Sequence, residues 1–263
     1  MNTLILSAIP AFFGSLFLMH RGGAPTSQLI QQIVVFCVAA VTCAALSRKR
    51  LVLTNKQLAV ALGIATVALF LPLVLMSGDG PQRWLGLGGF RLYMASVALP
   101  ITLLLLPHVR GMAWLLLRIA AALAAQPDAS QVTAFALASA ALLSRSPLSL
   151  LARAGVSVAL AGVAILAWLR PDPLQPVAYV EGVLPLALAV SPVALIAALV
   201  ALALPVIALF RAGQAPVALY YLAIYFFAYH QLTPMPLLGF GIGPILGYFG
   251  MASLGGPPTE RGQ

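Results

Sequence analysis

Long apolar runs separated by short polar breaks set the pattern of this chain. The runs cover residues 3–20, 28–46, 57–76, 92–106, 112–125, 132–143, 150–169, 184–210, 217–229 and 237–254. None alternates apolar and polar residues with the period of two that a membrane β-strand needs. A helix crossing lipid needs roughly 17–25 apolar residues, and it satisfies its backbone groups within one segment. The pattern predicts an all-α integral membrane protein of about ten transmembrane helices, forming a single polytopic domain over residues 1–263. Pro185, Pro192 and Pro205 fall in the eighth run and predict a kink there, or a loop helix at its start. No internal repeat of the kind that marks many transporters stands out.

Four of the breaks carry charged or polar residues, and the first of them holds more than a tight turn requires. The break at 77–90 contains Asp79, Arg83 and Trp84 among Gly80, Gly86, Gly88 and Gly89. The break at 126–131 reads Gln126-Pro127-Asp128-Ala129-Ser130-Gln131. A proline-rich loop at 170–176 carries Arg170 and Asp172, with Glu181 just beyond. The last, at 230–236, opens with His230 and Gln231.

Composition agrees with the pattern. The chain is 62% hydrophobic and 7% charged, with a mean hydropathy of +1.05. A soluble domain carries roughly a quarter charged residues, so this one has too few to cover a water-facing surface. The net charge of +9 is scattered between apolar runs rather than gathered in a stripe, which excludes a nucleic-acid partner. It follows the positive-inside rule instead. Arg48, Lys49, Arg50, Lys56, Arg110, Arg145, Arg153, Arg211 and Arg261 fall on the side of the termini. Arg21, Arg83, Arg91 and Arg170 fall opposite, so both termini are expected in the cytoplasm. Asp79, Asp128, Asp172 and Glu181 then reach the outer side, as a polar outer cavity would require. The N-terminus lacks the basic segment and cleavage site of a signal peptide, and its first run is expected to remain as a span. Cys37 and Cys43 share one run at a spacing that suits neither a metal pair nor a disulfide, and read as plain helix residues.

Three of the breaks resemble motifs of the SEDS family of cell-wall polymerases (FtsW, RodA, SpoVE), multi-pass proteins of about ten spans. After the third span that family carries a loop like Gly-x-x-Arg-Trp-Ile/Leu-x-Leu-Gly-x-Phe. Here the same place reads Gly80-Pro81-Gln82-Arg83-Trp84-Leu85-Gly86-Leu87-Gly88-Gly89-Phe90. The family's Gln-Pro-Asp-Leu-Gly-Thr is matched by Gln126-Pro127-Asp128-Ala129-Ser130-Gln131. Its C-terminal loop is matched by Met235-Pro236-Leu237-Leu238-Gly239 and by Pro244-Ile245-Leu246-Gly247-Tyr248-Phe249-Gly250. The departures are specific. Ser96 and Leu99 stand where the family keeps an intramembrane Glu and Lys. The large outer loop is cut to about residues 170–182, so the family's loop aspartate falls near Val177 or Ala178, with Glu181 the closest acid. The hydroxyls of the last motif are gone. The chain reads as a shortened, divergent relative.

The resemblance implies a SEDS-type bundle in the bacterial inner membrane. It also implies handling of a lipid-linked sugar precursor among the membrane lipids, as a peptidoglycan glycosyltransferase partnered by a class B transpeptidase. Such chemistry needs a cation on the leaving pyrophosphate and a base for the attacking hydroxyl. It calls for no known cofactor, with a divalent cation as an option. Arg83 is the first candidate clamp, because guanidinium matches phosphate bidentately, with Arg91 and Arg170 next. Asp128 and Glu181 are the candidate bases, with Asp172 behind them. Other roles stand beside these. Arg83 is equally suited to pairing with Asp79 or Asp128. Trp84 is either a sugar platform or an interfacial anchor. Asp128 suits the N-terminus of the sixth helix as a cap. His230 and Gln231 read as a helix-end pair, with no metal site. Tyr220, Tyr221, Tyr225 and Tyr229 read as packing or interfacial residues. Arg118, inside a span, is expected to face the bundle. A catalytically inactive lipid-binding or scaffolding relative is the alternative function, and a small transporter the third.

Overall fold

The structure is a computed structural model and describes residues 3–49, 54–75, 82–87, 90–109, 111–170 and 175–254. Within them the chain forms eleven α-helices and one two-stranded hairpin. The helices are α1 (Thr3–Arg21), α2 (Thr26–Arg48), α3 (Asn55–Leu75), α4 (Met94–Leu105), α5 (Met112–Ala125), α6 (Ala129–Ser144), α7 (Leu150–Trp168), α8 (Val183–Val190), α9 (Pro192–Arg211), α10 (Ala215–Tyr229) and α11 (Ile242–Ser253). Strands β1 (Trp84–Leu87) and β2 (Phe90–Tyr93) pair antiparallel between α3 and α4.

Five helices, α1, α2, α3, α7 and α9, are long and apolar enough to cross a membrane. The chain is an all-α membrane protein. The other apolar helices are shorter: α4 and α11 have 12 residues each, α5 has 14, α10 has 15 and α6 has 16. At 1.5 Å per residue, 12 residues cover only ~18 Å of a roughly 30 Å hydrocarbon core. Burial sets α4 and α11 apart from the long helices. Ten of the 12 residues of α4 and nine of the 12 of α11 are buried, against five of 21 in α3 and three of 19 in α7. The long helices turn Phe13, Val38, Ile64, Val158 and Ile196 outward and shield the short central pair. A helix enclosed by protein does not need to match the lipid thickness.

The central pair, α4 and α11, touches through glycine. A Cβ built on Gly247 would lie 2.0 Å from the Ser96 carbonyl oxygen, and one on Gly243 would lie 2.5 Å from Ser96 Oγ. This Gly-x-x-x-Gly spacing lets two backbones meet. Around it, Phe12 of α1 stacks on Phe36 of α2 at 3.9 Å, and Phe36 meets Phe249 of α11 edge-on.

Several expected boundaries change. The fourth helix starts at Met94 rather than at residue 92, because 84–87 and 90–93 pair as strands. The last starts at Ile242 rather than at 237, because residues 237–241 form a loop with Leu237 at φ 65°. The long eighth run divides at Ser191, whose extended backbone ends α8. Ser191 Oγ accepts from the Ala194 amide at 3.0 Å and Pro192 opens α9, an arrangement that suits a helix start. Pro205 sits inside α9 without ending it. Arg118 does not face the bundle: it is exposed on α5, on the face it shares with Trp114. It lies six residues after Met112, ~9 Å along the axis, and helical side chains lean toward the N-terminus, so its long side chain can carry the charge out of the apolar zone.

Candidate functional site

The hairpin brings the first two motifs together. Trp84 pairs with Tyr93 across the ladder, and their rings stack with centroids 5.0 Å apart. That pairing buries Tyr93 and aims its hydroxyl at the α5–α6 break, where it donates to Asp128 Oδ2. Arg83 precedes the strand, is 6% exposed, and places NH1 4.0 Å from Asp128 Oδ1. The same oxygen accepts from Ser130 Oγ at 3.1 Å and from the Gln131 amide at 3.4 Å. Asp128 is thus the N-cap of α6 and the partner of Arg83 at once. Its neighbour Gln126 is fully buried and donates to the Leu69 carbonyl of α3.

The third motif approaches through Gln131. Its Nε2 donates to Thr233 Oγ1 at 3.4 Å, and its Oε1 accepts from the Tyr220 hydroxyl at 2.8 Å. Thr233 is buried two residues before Met235. Residues of the first two motifs and Thr233, two residues before the third, therefore lie at one end of the bundle in one connected polar group. Tyr93, Ser130, Gln131, Thr233 and Tyr220 were missing from the sequence-based candidates. Tyr93 had a signal in the sequence: Gly-Gly between two apolar runs is a hairpin signature, and pairing across it would set Trp84 against Tyr93. Tyr220 shared its spacing with three other tyrosines, and nothing in the sequence set it apart.

Electrostatics at Asp128 are a contest. Burial pushes its carboxyl above the ordinary value, while Arg83, Tyr93, Gln131 and Ser130 pull it back; the net direction is upward. Burial, then the adjacent Asp128 charge, raises the Tyr93 hydroxyl well above its ordinary value.

The remaining candidates occupy other settings at this end. Glu181 is half-buried, and its Oε2 accepts from the Val177 amide at 2.9 Å, closing its own turn. That turn docks on the C-terminal loop: Met235 N donates to the Val180 carbonyl at 2.9 Å and Phe240 N to the Tyr179 carbonyl at 2.8 Å. Arg170 is exposed and holds the Ala124 carbonyl at 3.1 Å. Arg91 is exposed on β2, and Trp84 is half-buried. Asp79 and Asp172 lie outside the described residues. Among the described residues no three of His, Cys, Asp and Glu come together as a metal site would require.

A cavity of about 680 Å³ lies elsewhere. It sits at the opposite end of α6, among the α4–α5, α6–α7 and α9–α10 connections. A search with family models finds no match to the chain, and a search of curated proteins finds none.

Proposed function

We propose that the chain is a SEDS-like (FtsW/RodA/SpoVE) protein of cell-envelope synthesis that takes a lipid-linked sugar precursor at the outer face of the bacterial inner membrane. In this reading α8 and α9 count as one of ten spans, both termini are cytoplasmic, and the hairpin end faces outward. The observation that carries it is the convergence of Arg83, Asp128 and Gln131, with Thr233 beside the third motif, in one polar group. Three separate breaks share an ion pair and hydrogen bonds there. Exposed Arg91 and Arg170, with half-buried Trp84, would meet the pyrophosphate and sugar. The reaction would be glycosyl transfer, alongside a class B transpeptidase.

One observation favours the non-enzymatic alternative, a binder or scaffold. Asp128 is 1% exposed, and its two oxygens already face Tyr93, Ser130, the Gln131 amide and Arg83. A general base must reach the hydroxyl proton it removes, and this carboxylate is buried and already accepts three hydrogen bonds. The deciding experiment is polymerisation of lipid II by the purified protein, with and without a class B transpeptidase, together with binding of the same lipid. Polymer that disappears in Glu181→Ala supports the enzyme. Binding without polymer, weakened by Arg91→Gln, supports the binder. Neither binding nor polymer would remove both readings.

A further inference from the structure

The cavity at the far end of α6 is separate from the polar group around Asp128. Helix α6 runs 16 residues between them, roughly 24 Å. At about 680 Å³ it falls within the roughly 300–1,000 Å³ typical of ligand sites. Its walls are mostly apolar, with Leu103, Met112, Leu142 and Trp114 among them. Polar groups stand at the mouth: Arg145 and His108 are both exposed lining residues. Arg153 fixes the turn that presents Arg145. Its Nε donates to the Leu148 carbonyl at 2.8 Å and its NH1 to the Ser144 carbonyl at 3.1 Å.

Charge decides what such a cavity can take. No carboxylate is among its described lining residues. The described acidic residues, Asp128 and Glu181, sit at the hairpin end. The cavity end carries exposed Arg48, Lys49, Lys56 and Arg211 as well as Arg145. A basic end of this kind attracts an anionic leaflet. An apolar cleft with the Arg145 guanidinium and the His108 imidazole at its lip suits a molecule with an apolar body and an anionic head. A zwitterionic head would bring its own cation against Arg145. A free phosphate would leave the apolar walls unused.

We propose that this cavity is a binding site for an anionic membrane phospholipid, with the headgroup phosphate at Arg145 and His108 and the glycerol and upper acyl chain in the apolar cleft. The site does not depend on the function assigned to the hairpin end.

Trp114 lines the cavity and makes it observable. The full chain and its Trp114→Phe variant are reconstituted in phosphatidylcholine vesicles containing a minor fraction of brominated phosphatidylglycerol or of brominated phosphatidylcholine. The difference between the two proteins isolates the Trp114 signal. The expected result is stronger quenching by the brominated phosphatidylglycerol. Arg145→Gln should cut that preference about fivefold, the ratio one basic side chain is worth near an anionic surface, with His108→Gln acting in the same direction. Both residues are exposed, so the substitutions leave the packing intact. Equal quenching by the two lipids overturns the proposal. So does a preference that survives both substitutions, because it would then belong to the basic end as a whole.

Discussion

Replacing Asp128 by Ala should destabilise the protein by about 3–5 kcal/mol, the usual cost of removing one partner from a buried ion pair. The figure follows from what the side chain touches. The Arg83 guanidinium is 6% exposed and would lose the carboxylate 4.0 Å away. The Tyr93 and Ser130 hydroxyls would lose their acceptor, and α6 would lose its cap, worth about 1 kcal/mol alone. These losses overlap, so their sum is an upper bound. The assay is denaturant-induced unfolding in micelles, run as a double-mutant cycle with Arg83→Met. If Arg83 is held by Asp128, the double variant should lose less than the two single losses added, by at least about 1 kcal/mol. Additivity within about 0.5 kcal/mol would show that Arg83 and Asp128 act independently. The tether between hairpin and α6 would then not exist energetically, whatever the distance.

Three further outcomes follow from the packing and hydrogen bonds of the same bundle. Gly247→Ala should separate α4 from α11 and cost roughly 1–3 kcal/mol or more, since the added carbon meets the Ser96 carbonyl, which cannot rotate away; unchanged unfolding would refute the close approach. Tyr220→Phe should cost about 1 kcal/mol by stripping the buried Gln131 of its donor, whereas Tyr221→Phe should be near neutral because its hydroxyl has no hydrogen-bond partner among the described residues; equal losses would contradict this. Stability should also fall as pH rises through the upper carboxylate range. The Asp128 carboxyl is raised in the folded state, so the native protein binds that proton more tightly than the unfolded chain. Its contribution is full below the unfolded value and is lost as pH climbs to the folded one. Asp128→Asn should flatten that slope, and an unchanged profile would assign the slope to another group.

How far the sequence could be read depended on which physical rule governed each segment. Runs long enough to cross lipid, such as 3–20 and 57–76, became helices close to their expected limits, because length and hydropathy determine them. Ser191 and Pro192 divided the eighth run where a hydroxyl cap and a proline at the first helical position coincide. The hairpin was missed because Leu92 and Tyr93 are as apolar as the helix that follows; hydropathy does not distinguish strand from helix over four residues. Arg118 was placed by the default that charge avoids lipid, and its distance from the helix start offered a second solution. Asp128 was legible as a cap from its place before an apolar run, and as a partner of Arg83 from charge alone. Its bond to Tyr93 depended on the hairpin register, so it was lost along with the hairpin.

Depth explains why the polar group at the hairpin end divides into two kinds of cation. Gln126 donates to the Leu69 carbonyl, six residues before the end of α3 at Leu75, so the α5–α6 break sits ~9 Å inside that helix end. A charge at such a depth is tolerated when it is paired within the protein. Arg83 and Asp128 meet that condition together, and each would be costly alone. Arg91 and Arg170 stay exposed and carry no such obligation to a buried partner. The sequence motif therefore spans two jobs. Arg83 pairs with Asp128 and ties the hairpin to the α5–α6 break, while Arg91 and Arg170 remain exposed. Loss of either partner would leave the other buried without this counter-charge, which costs more than replacing both.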